Sequence, residues 1–402
     1  MAHSPQRIIA HFDLDAFFVS VECLREPSLK GLPLLVGGRE RGVVAACSYE
    51  ARKFGIHSAM PMKKALSLCP QATVLKGSRG EYSKYSRIVT NIIAEKAPLF
   101  EKASIDEFYL DLTGMDRYFQ PYQWTIGLRQ EIIDTTGLPI SFGLASNKMI
   151  AKIATDAAKP NGYLHVPFGR EKEFLAPLTV NKIHGVGKHT WETLQALGIT
   201  TIKDLSERPV ELLEKKFGKY GIDLWNKSQG IHTGEVTPYH EAKSVSTENT
   251  FEENITDPDR LLNELVHMTE KVAHELRQDN KMAGCVAVKI RYPDFETTSR
   301  QTSIDYTFYD DELIPQAKDL FHKLWRQGQP VRLLGVRLSE LTNEAVQTNL
   351  FANVERKTEL YKAIDDVKNR FGKYSITKAA GTAGAKIKKP DGHLPGKSKK
   401  EL

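Results

Sequence analysis

Two acidic pairs stand where carboxylates are out of keeping with their surroundings. In "KASIDEFYLDLTG", residues 102–114, Asp106 and Glu107 adjoin within an otherwise apolar and aromatic run that reads as a strand. Strand side chains alternate between faces, so one of the two points toward the core, where an unpaired charge is costly. A bent or edge strand would relieve that cost by letting the acids meet water or an arginine. A divalent cation at a strand end or hairpin would put it to use, because both carboxylates can there face one ion. The second pair lies in "IIAHFDLDAFFVSVE", where the apolar strand Ile8–Phe12 gives way to helical spacing carried by Phe17, Val21 and Leu24. Asp13 and Asp15 therefore occupy a strand-to-helix junction, a frequent place for ligand-binding groups, although an Asp there can also simply cap the helix. The residues alone do not separate Asp13 from Asp15. Two acidic sites, each at a strand end, favour the metal.

Phosphate chemistry has candidates too: Arg52 for bidentate oxygen contacts, Lys159 as a point charge and Tyr49 as a hydroxyl donor. Taken singly, each is more at home on a solvated surface. Only an arrangement that gathers them would give them a joint role.

The surrounding elements intermix strand and helix through about residue 165. Spacing predicts a strand over 43–47, helices over 61–68 and 80–94, a helix in "YQWTIGLRQEIIDTTG", a strand in "PISFGLASN" and a helix in "KMIAKIATDAAKP". This is a sheet with helices packed on it. "NKIHGVGKHTWETLQALGITTIKDLSERP" differs: Gly185 and Gly187 make a tight hairpin between short helices and expose backbone amides of the next helix to an anion. GVGKHT lacks the spacing of a nucleotide-triphosphatase phosphate loop. It fits a helix-hairpin-helix, which grips a nucleic-acid backbone without reading sequence, with Gly185, Gly187 and Lys188 as the contacts. Beyond a polar linker, 232–243, the order is strand 244–251, helix 258–278, strand 284–292, strand 297–306, helix 311–325 and strand 331–341. This β-α-β-β-α-β order permits a four-stranded sheet with both helices on one face. Lys289, Arg291, Arg300, Arg332 and Arg337 lie on its strands, and gathering them on the open face would make a backbone-binding surface. A further helix spans 354–371.

Composition sets the bounds. A chain of 402 residues holds two to four domains, and 41% hydrophobic with 26% charged residues is ordinary for a soluble protein. No apolar run approaches the roughly 18 residues of a membrane span, and no secretory leader opens the chain. Cys23, Cys47, Cys69 and Cys285 lack zinc or disulfide spacing, which points to the cytoplasm. Of the net charge of +6, the tail from Lys378 carries most, with seven lysines against Asp391 and Glu401. Nucleic-acid affinity elsewhere must come from local patches. That Gly-, Ala- and Lys-rich tail is expected to be disordered.

Taken together, "HFDLDAFFVSVE", "CSYEARKFGIHSAMP", "SIDEFYLDLT", "AKIATDAAKPNG", "KIHGVGK" and "LWNKSQGI" resemble the successive motifs of the Y-family DNA polymerases, the translesion enzymes, and above all their bacterial branch. The resemblance runs from about Ile8 to Leu341. It implies an α+β multidomain right-hand polymerase: palm and fingers in 1–165, a helix-hairpin-helix thumb in 166–231, the linker 232–243, a β-α-β-β-α-β little finger in 244–341 and a C-terminal extension in 342–402. It implies that Asp13, Asp106 and the carbonyl of Leu14 hold two Mg2+ ions, with Glu107 completing the catalytic site, and that Asp15 is structural. It further implies Tyr49, Arg52 and Lys159 on the triphosphate, Phe17 in the nucleotide pocket and Phe18 against the sugar, excluding a 2′-hydroxyl. Ala46 departs from the threonine that many relatives place near phosphate, a loss of one neutral hydrogen bond worth about 1 kcal/mol. "QTNLF" resembles a sliding-clamp docking motif, with Gln347, Leu350 and Phe351 as anchors, although here a helix and the basic tail follow it. The implied partners are primer–template DNA, deoxynucleoside triphosphates and a clamp, for a cytoplasmic monomer. A catalytically dead relative would have lost the acids, and a magnesium nucleotidyl cyclase or nuclease would not need the thumb and little-finger pattern.

Overall fold

The computed structural model describes residues 6–38, 41–239, 241–343, 354–372 and 375–376. The chain divides into two compact units between His240 and Glu241.

The first unit is built around β1 (Ile9–Leu14), whose six residues are all buried. It leads into α1 (Phe17–Arg25) through Ala16, held left-handed at φ 43°. A small finger sheet follows: β2 (Leu34–Gly37) pairs antiparallel with β3 (Val44–Cys47), then come α2 (Tyr49–Arg52) and α3 (Met62–Leu68), and β4 (Thr73–Leu75) adds parallel to β2. α4 (Arg79–Lys96) leads to a hairpin of β5 (Phe100–Lys102) and β6 (Glu107–Asp111). The single strand expected over 102–114 is thus two strands joined by a turn, and Asp106 lies in that turn. α5 (Pro121–Thr136), β7 (Ile140–Ala145), α6 (Lys148–Ala158) and β8 (Tyr163–His165) complete the main sheet, in the order β5-β6-β1-β7-β8.

Alternation along β1 divides its work. Ala10, Phe12 and Leu14 join Phe108, Leu110 and Phe142 in one core, while Ile9, His11 and Asp13 face α6. α6 lies very close to β7, because a Cβ on Gly143 would fall 2.2 Å from the Ala151 carbonyl oxygen. Only a glycine permits that approach. The Asn147 side chain caps α6 by accepting from the Ile150 N–H at 3.1 Å, and Thr155 latches it to β1, donating to the His11 carbonyl at 2.9 Å.

α7 (Glu171–Leu175) opens the thumb region, followed by α8 (Lys188–Ala196), α9 (Ile202–Ser206), α10 (Val210–Phe217) and α11 (Lys219–Ser228). The helix expected ahead of the Gly185 hairpin is a single 3₁₀ turn, Val180–Lys182, whose Val180 packs in the apolar cluster of Leu194, Leu205 and Leu213.

The second unit follows its predicted order: β9 (Ser244–Ile255), α12 (Pro258–Gln278), β10 (Met282–Arg291), β11 (Thr297–Thr307), α13 (Asp310–Leu324) and β12 (Val331–Thr342), in an antiparallel sheet ordered β11-β10-β12-β9. Val286, Val288 and Ile290 pack with Leu265, Val272 and Leu313 of the helices, leaving the alternate positions Lys289, Arg291 and Arg337 together on the other face. Arg300 stands opposite Val288 and so belongs to the helix side, and Arg332 stacks on the Phe295 ring at 4.7 Å. The five bases therefore do not all gather on one face. α14 (Val354–Phe371) is pinned by Asp365, which accepts from Arg277 Nε at 2.7 Å and bonds His274 Nδ1 at 2.9 Å, while Arg277 also reaches Asp310 at 2.8 Å. Gln347, Leu350, Phe351 and the basic tail lie outside the described residues.

Candidate active site

The β1–β6 register sets Asp13 directly opposite Glu107. Asp106 adjoins them, because the Leu14 N–H donates to its backbone carbonyl at 3.1 Å and its carboxylate accepts from Ser104 Oγ at 2.5 Å. Like charges directly across two strands repel. α6 answers that repulsion with two lysines: Lys159 Nζ bonds Asp13 Oδ1 at 2.6 Å, and Lys152 pairs with Glu107. Burial nonetheless dominates at Asp13, which is 6% exposed; it pushes the carboxyl up to about 7, with Lys159 opposing and Glu107 and Asp106 adding to the rise.

Among the described residues no three His, Cys, Asp or Glu side chains converge closely enough to form a metal shell. The donor chemistry fits one all the same. Three carboxylates and a strand-end carbonyl are the hard oxygens that Mg2+ takes, crowded where only cations make their charge tolerable.

Asp15 separates from Asp13 by its bonds. Its Oδ2 accepts from Ser141 Oγ at 2.8 Å and from the Asn161 N–H at 2.7 Å, and it is 1% exposed. Spent on these buried donors, it ties β1 to β7 and to the turn after Lys159.

The finger sheet contributes α2. Ser48 Oγ accepts from the Ala51 N–H at 3.2 Å and from the Leu34 N–H at 2.9 Å, fixing a helix of four residues that carries Tyr49 and Arg52. The Arg52 guanidinium lies over the Tyr49 ring at 4.7 Å, and the Tyr49 hydroxyl reaches Asp15 Oδ1 at 3.4 Å. Burial, then the Asp15 charge, pushes that hydroxyl's pKa up. Ala46 sits opposite Val36 in the finger sheet.

On α1, Phe17 is buried in the core with its ring 5.6 Å from that of Phe18. Phe18 is half-buried and stacks on Tyr82 of α4, centroids 4.3 Å apart and 14° from parallel.

At the hairpin, Gly185 takes φ +99° and its carbonyl accepts from the Tyr220 hydroxyl at 2.8 Å. No side chain caps α8 at Gly187, and Lys188 at its first position is exposed, 3.8 Å from Glu192. Sequence reasoning missed Lys152, Tyr82 and Glu22. Lys148, Lys152, Thr155 and Lys159 recur at helical spacing, which was the available signal for one basic edge of α6.

A DNA polymerase IV from Dehalococcoides mccartyi (strain CBDB1) is 39% identical over 375 residues, covering 92% of this chain and 96% of that protein. The chain belongs to the DNA polymerase IV family. A DNA polymerase IV from Lactococcus lactis subsp. cremoris (strain SK11) is 40% identical over 350 residues, covering 84% and 95% of the two chains. The family scan matches the impB/mucB/samB family over residues 12–156, its C-terminal domain over 242–350 and the thumb domain described for DNA polymerase-iota over 181–232. Among solved structures, a Y-family DNA polymerase chimera, Dbh-Dpo4(243-245)-Dbh, superposes with a TM-score of 0.73 at 27% identity, covering 84% of this chain and all of that one. A DNA polymerase IV of this kind has the Y-family fold that the sequence motifs implied. Among the described residues no helix is long and apolar enough to cross a membrane.

Proposed function

We propose that Asp13, Asp106, Glu107 and the Leu14 carbonyl would hold two Mg2+ ions, and that the chain places a primer 3′-hydroxyl to attack the α-phosphate of a deoxynucleoside triphosphate, with pyrophosphate leaving. The chain is a DNA-directed DNA polymerase of the translesion type, adding deoxynucleotides to a primer with low fidelity during damage tolerance, and the family depends on divalent metal. The observation that carries the site assignment is the facing of Asp13 and Glu107 across β1 and β6, with Asp106 tied to Leu14. When bound, the ions lower the pKa of the attacking hydroxyl and neutralise charge on the leaving pyrophosphate.

The chain's own residues do the positioning. Lys159, which now bonds Asp13, exchanges that carboxylate for a phosphate oxygen. Arg52 and Tyr49, held together on α2, take the remaining triphosphate oxygens. The Phe18 ring bars a 2′-hydroxyl. Residues 1–165 act as palm and fingers and 166–231 as thumb, where Gly185, Gly187 and Lys188 bind the DNA backbone through the uncapped start of α8. After the linker 232–243, the little finger in 244–341 adds Lys289, Arg291 and Arg337. In the extension 342–402, Gln347, Leu350 and Phe351 dock on a sliding clamp. The enzyme works in the cytoplasm as a monomer on primer–template DNA.

Primer extension on a defined template tests the site. Asp106→Ala and Glu107→Ala each abolish incorporation while DNA binding persists, since the backbone contacts lie elsewhere. Near-normal extension by either variant removes that residue from the catalytic set.

A further inference from the structure

Behind Phe18 stands an unusual arrangement for an apolar core. Tyr82, whose ring stacks on Phe18, is 3% exposed, and its hydroxyl donates to Glu22 Oε1 at 2.6 Å. Glu22 is itself only 8% exposed and lies one helical turn beyond Phe18 on α1, so the face and the tip of the Tyr82 ring are both held from one face of one helix. The same carboxylate accepts from the Ser78 N–H at 3.3 Å and from Arg25 at 2.9 Å, and Arg25 also donates to Ser78 Oγ at 2.6 Å. This ties the loop before α4 to α1. A Cβ on Gly77 would stand 3.2 Å from both Cε2 and the hydroxyl oxygen of Tyr82, so that residue walls the ring's edge closely. The ring is bounded on its face by Phe18, at its edge by Gly77 and at its tip by Glu22.

Packing does not require the tip contact. A phenylalanine would fill the same space without a buried carboxylate, and apolar replacements of buried charged networks are often neutral for stability. What the contact adds is position: a charge-assisted hydrogen bond pins the tip of the ring and so fixes where its axis lies behind Phe18. We infer that Glu22 is a positioning residue for sugar selection: it sets the Tyr82 ring, and Tyr82 in turn holds the Phe18 ring where it excludes a ribonucleotide. The inference rests on the assignment of Phe18 as the sugar gate. Glu22 and the Tyr82 hydroxyl act entirely through Phe18 and touch no substrate.

The test compares kcat/KM for a ribonucleoside and the matching deoxynucleoside triphosphate, using full-length enzyme on undamaged primer–template DNA. Tyr82→Phe keeps the ring and removes its hydroxyl; Glu22→Ala removes the acceptor; Glu22→Gln keeps one. The first two shift the ratio toward the ribonucleotide by roughly fivefold to tenfold, the worth of one hydrogen bond. Glu22→Gln restores discrimination to within about twofold of the parent, because an amide oxygen still accepts from the tyrosine. A merely structural role would lower both efficiencies together and leave the ratio where it was. Phe18→Ala, run alongside, relaxes the ratio if the gate is assigned correctly. Relaxation by Phe18→Ala without any change in Tyr82→Phe overturns the role of Glu22 and leaves the gate standing. An unchanged ratio in Phe18→Ala overturns the gate and this inference with it.

Discussion

Replacing Asp13 by asparagine separates what this carboxylate costs the fold from what it does for the reaction. Its folded pKa is raised from 3.8 to about 7, chiefly by burial. A raised folded pKa means that the native state binds the proton more tightly, so this stabilisation is complete below the unfolded value and lost as pH rises through about 7. At 1.36 kcal/mol per pH unit, the loss by pH 8 is about 4 kcal/mol. Asparagine stands in for the neutral acid and carries no such penalty, and the attraction of Lys159, 2.6 Å away, is already contained in the value of about 7. In chelator at pH 8 the variant is therefore more stable by about 4 kcal/mol, raising the melting temperature of the catalytic unit by about 2–4 °C per kcal/mol. At pH 4 the two proteins converge, since both are then neutral at this position. Calorimetry across pH 4–8 reads the gap. Adding Mg2+ at pH 8 narrows it by stabilising the parent more than the variant, while primer extension is lost in the variant. A variant less stable than the parent at pH 8, or a gap that persists at pH 4, refutes the reasoning.

Two further outcomes follow from elements after the thumb. Asp365→Ala leaves Arg277 and His274 without their shared partner and destabilises the second unit by about 3–5 kcal/mol, measured as a fall in its melting transition and faster proteolysis of α14. Burial opposes ionisation of Asp365, but Arg277 and His274 outweigh it and hold the carboxyl below its ordinary value. The docking of α14 is thus complete above about pH 4 and weakens below it, as the carboxylate is protonated through its folded pKa. Replacing Leu350 and Phe351 by alanine leaves extension on short linear primers unchanged but reduces synthesis on primed circles carrying a loaded clamp, because tethering raises local concentration without touching the chemistry. Equal loss on both templates withdraws the clamp assignment.

Legibility in the sequence tracked element length. The second unit's strands and helices were readable because ten or more residues display a period clearly, and the span of α12 is the expected 258–278. β2, β4 and β8, of three or four residues, are too short to show alternation. Residues 102–114 read as one strand because Phe108, Leu110 and Leu112 keep their period past a turn that only Ser104 and its bonds to the 106 and 107 amides reveal. Asp13 and Asp15 share a parity along an ideal strand. They part only because the chain leaves β1 at Leu14 through the left-handed Ala16, which a sequence pattern does not display. The lysine partners on α6 were legible in principle, since their spacing is helical. The pairing of Tyr82 with Glu22 was not, because Tyr82 belongs to none of the motifs and the contact spans 60 residues.

The adjacency of Asp106 and Glu107 finds its reason in the turn. Had both stood within one strand, alternation would have sent their carboxylates to opposite faces, and one of them into the core of Phe108 and Leu110. With Asp106 in the turn and Glu107 at the strand's first residue, neither has to enter that core. Asp13 is brought to the same place by the β1 register, and Leu14 closes the group through its own amide. Carboxylates that face one another across two strands are tolerable only beside positive charge, and in this protein that charge comes from Lys152 and Lys159. Lys152 stands on α6 and Lys159 at its C-terminal cap, two turns on, and the helix's approach depends on the absent side chain of Gly143 and on the Thr155 bonds to His11. On the proposed assignment, Lys159, which balances Asp13 in the folded chain, turns to phosphate when cations take over that balance. The balance of charge at the site therefore rests on the seating of a single helix against a single strand, and under the proposed assignment so does the binding of a triphosphate.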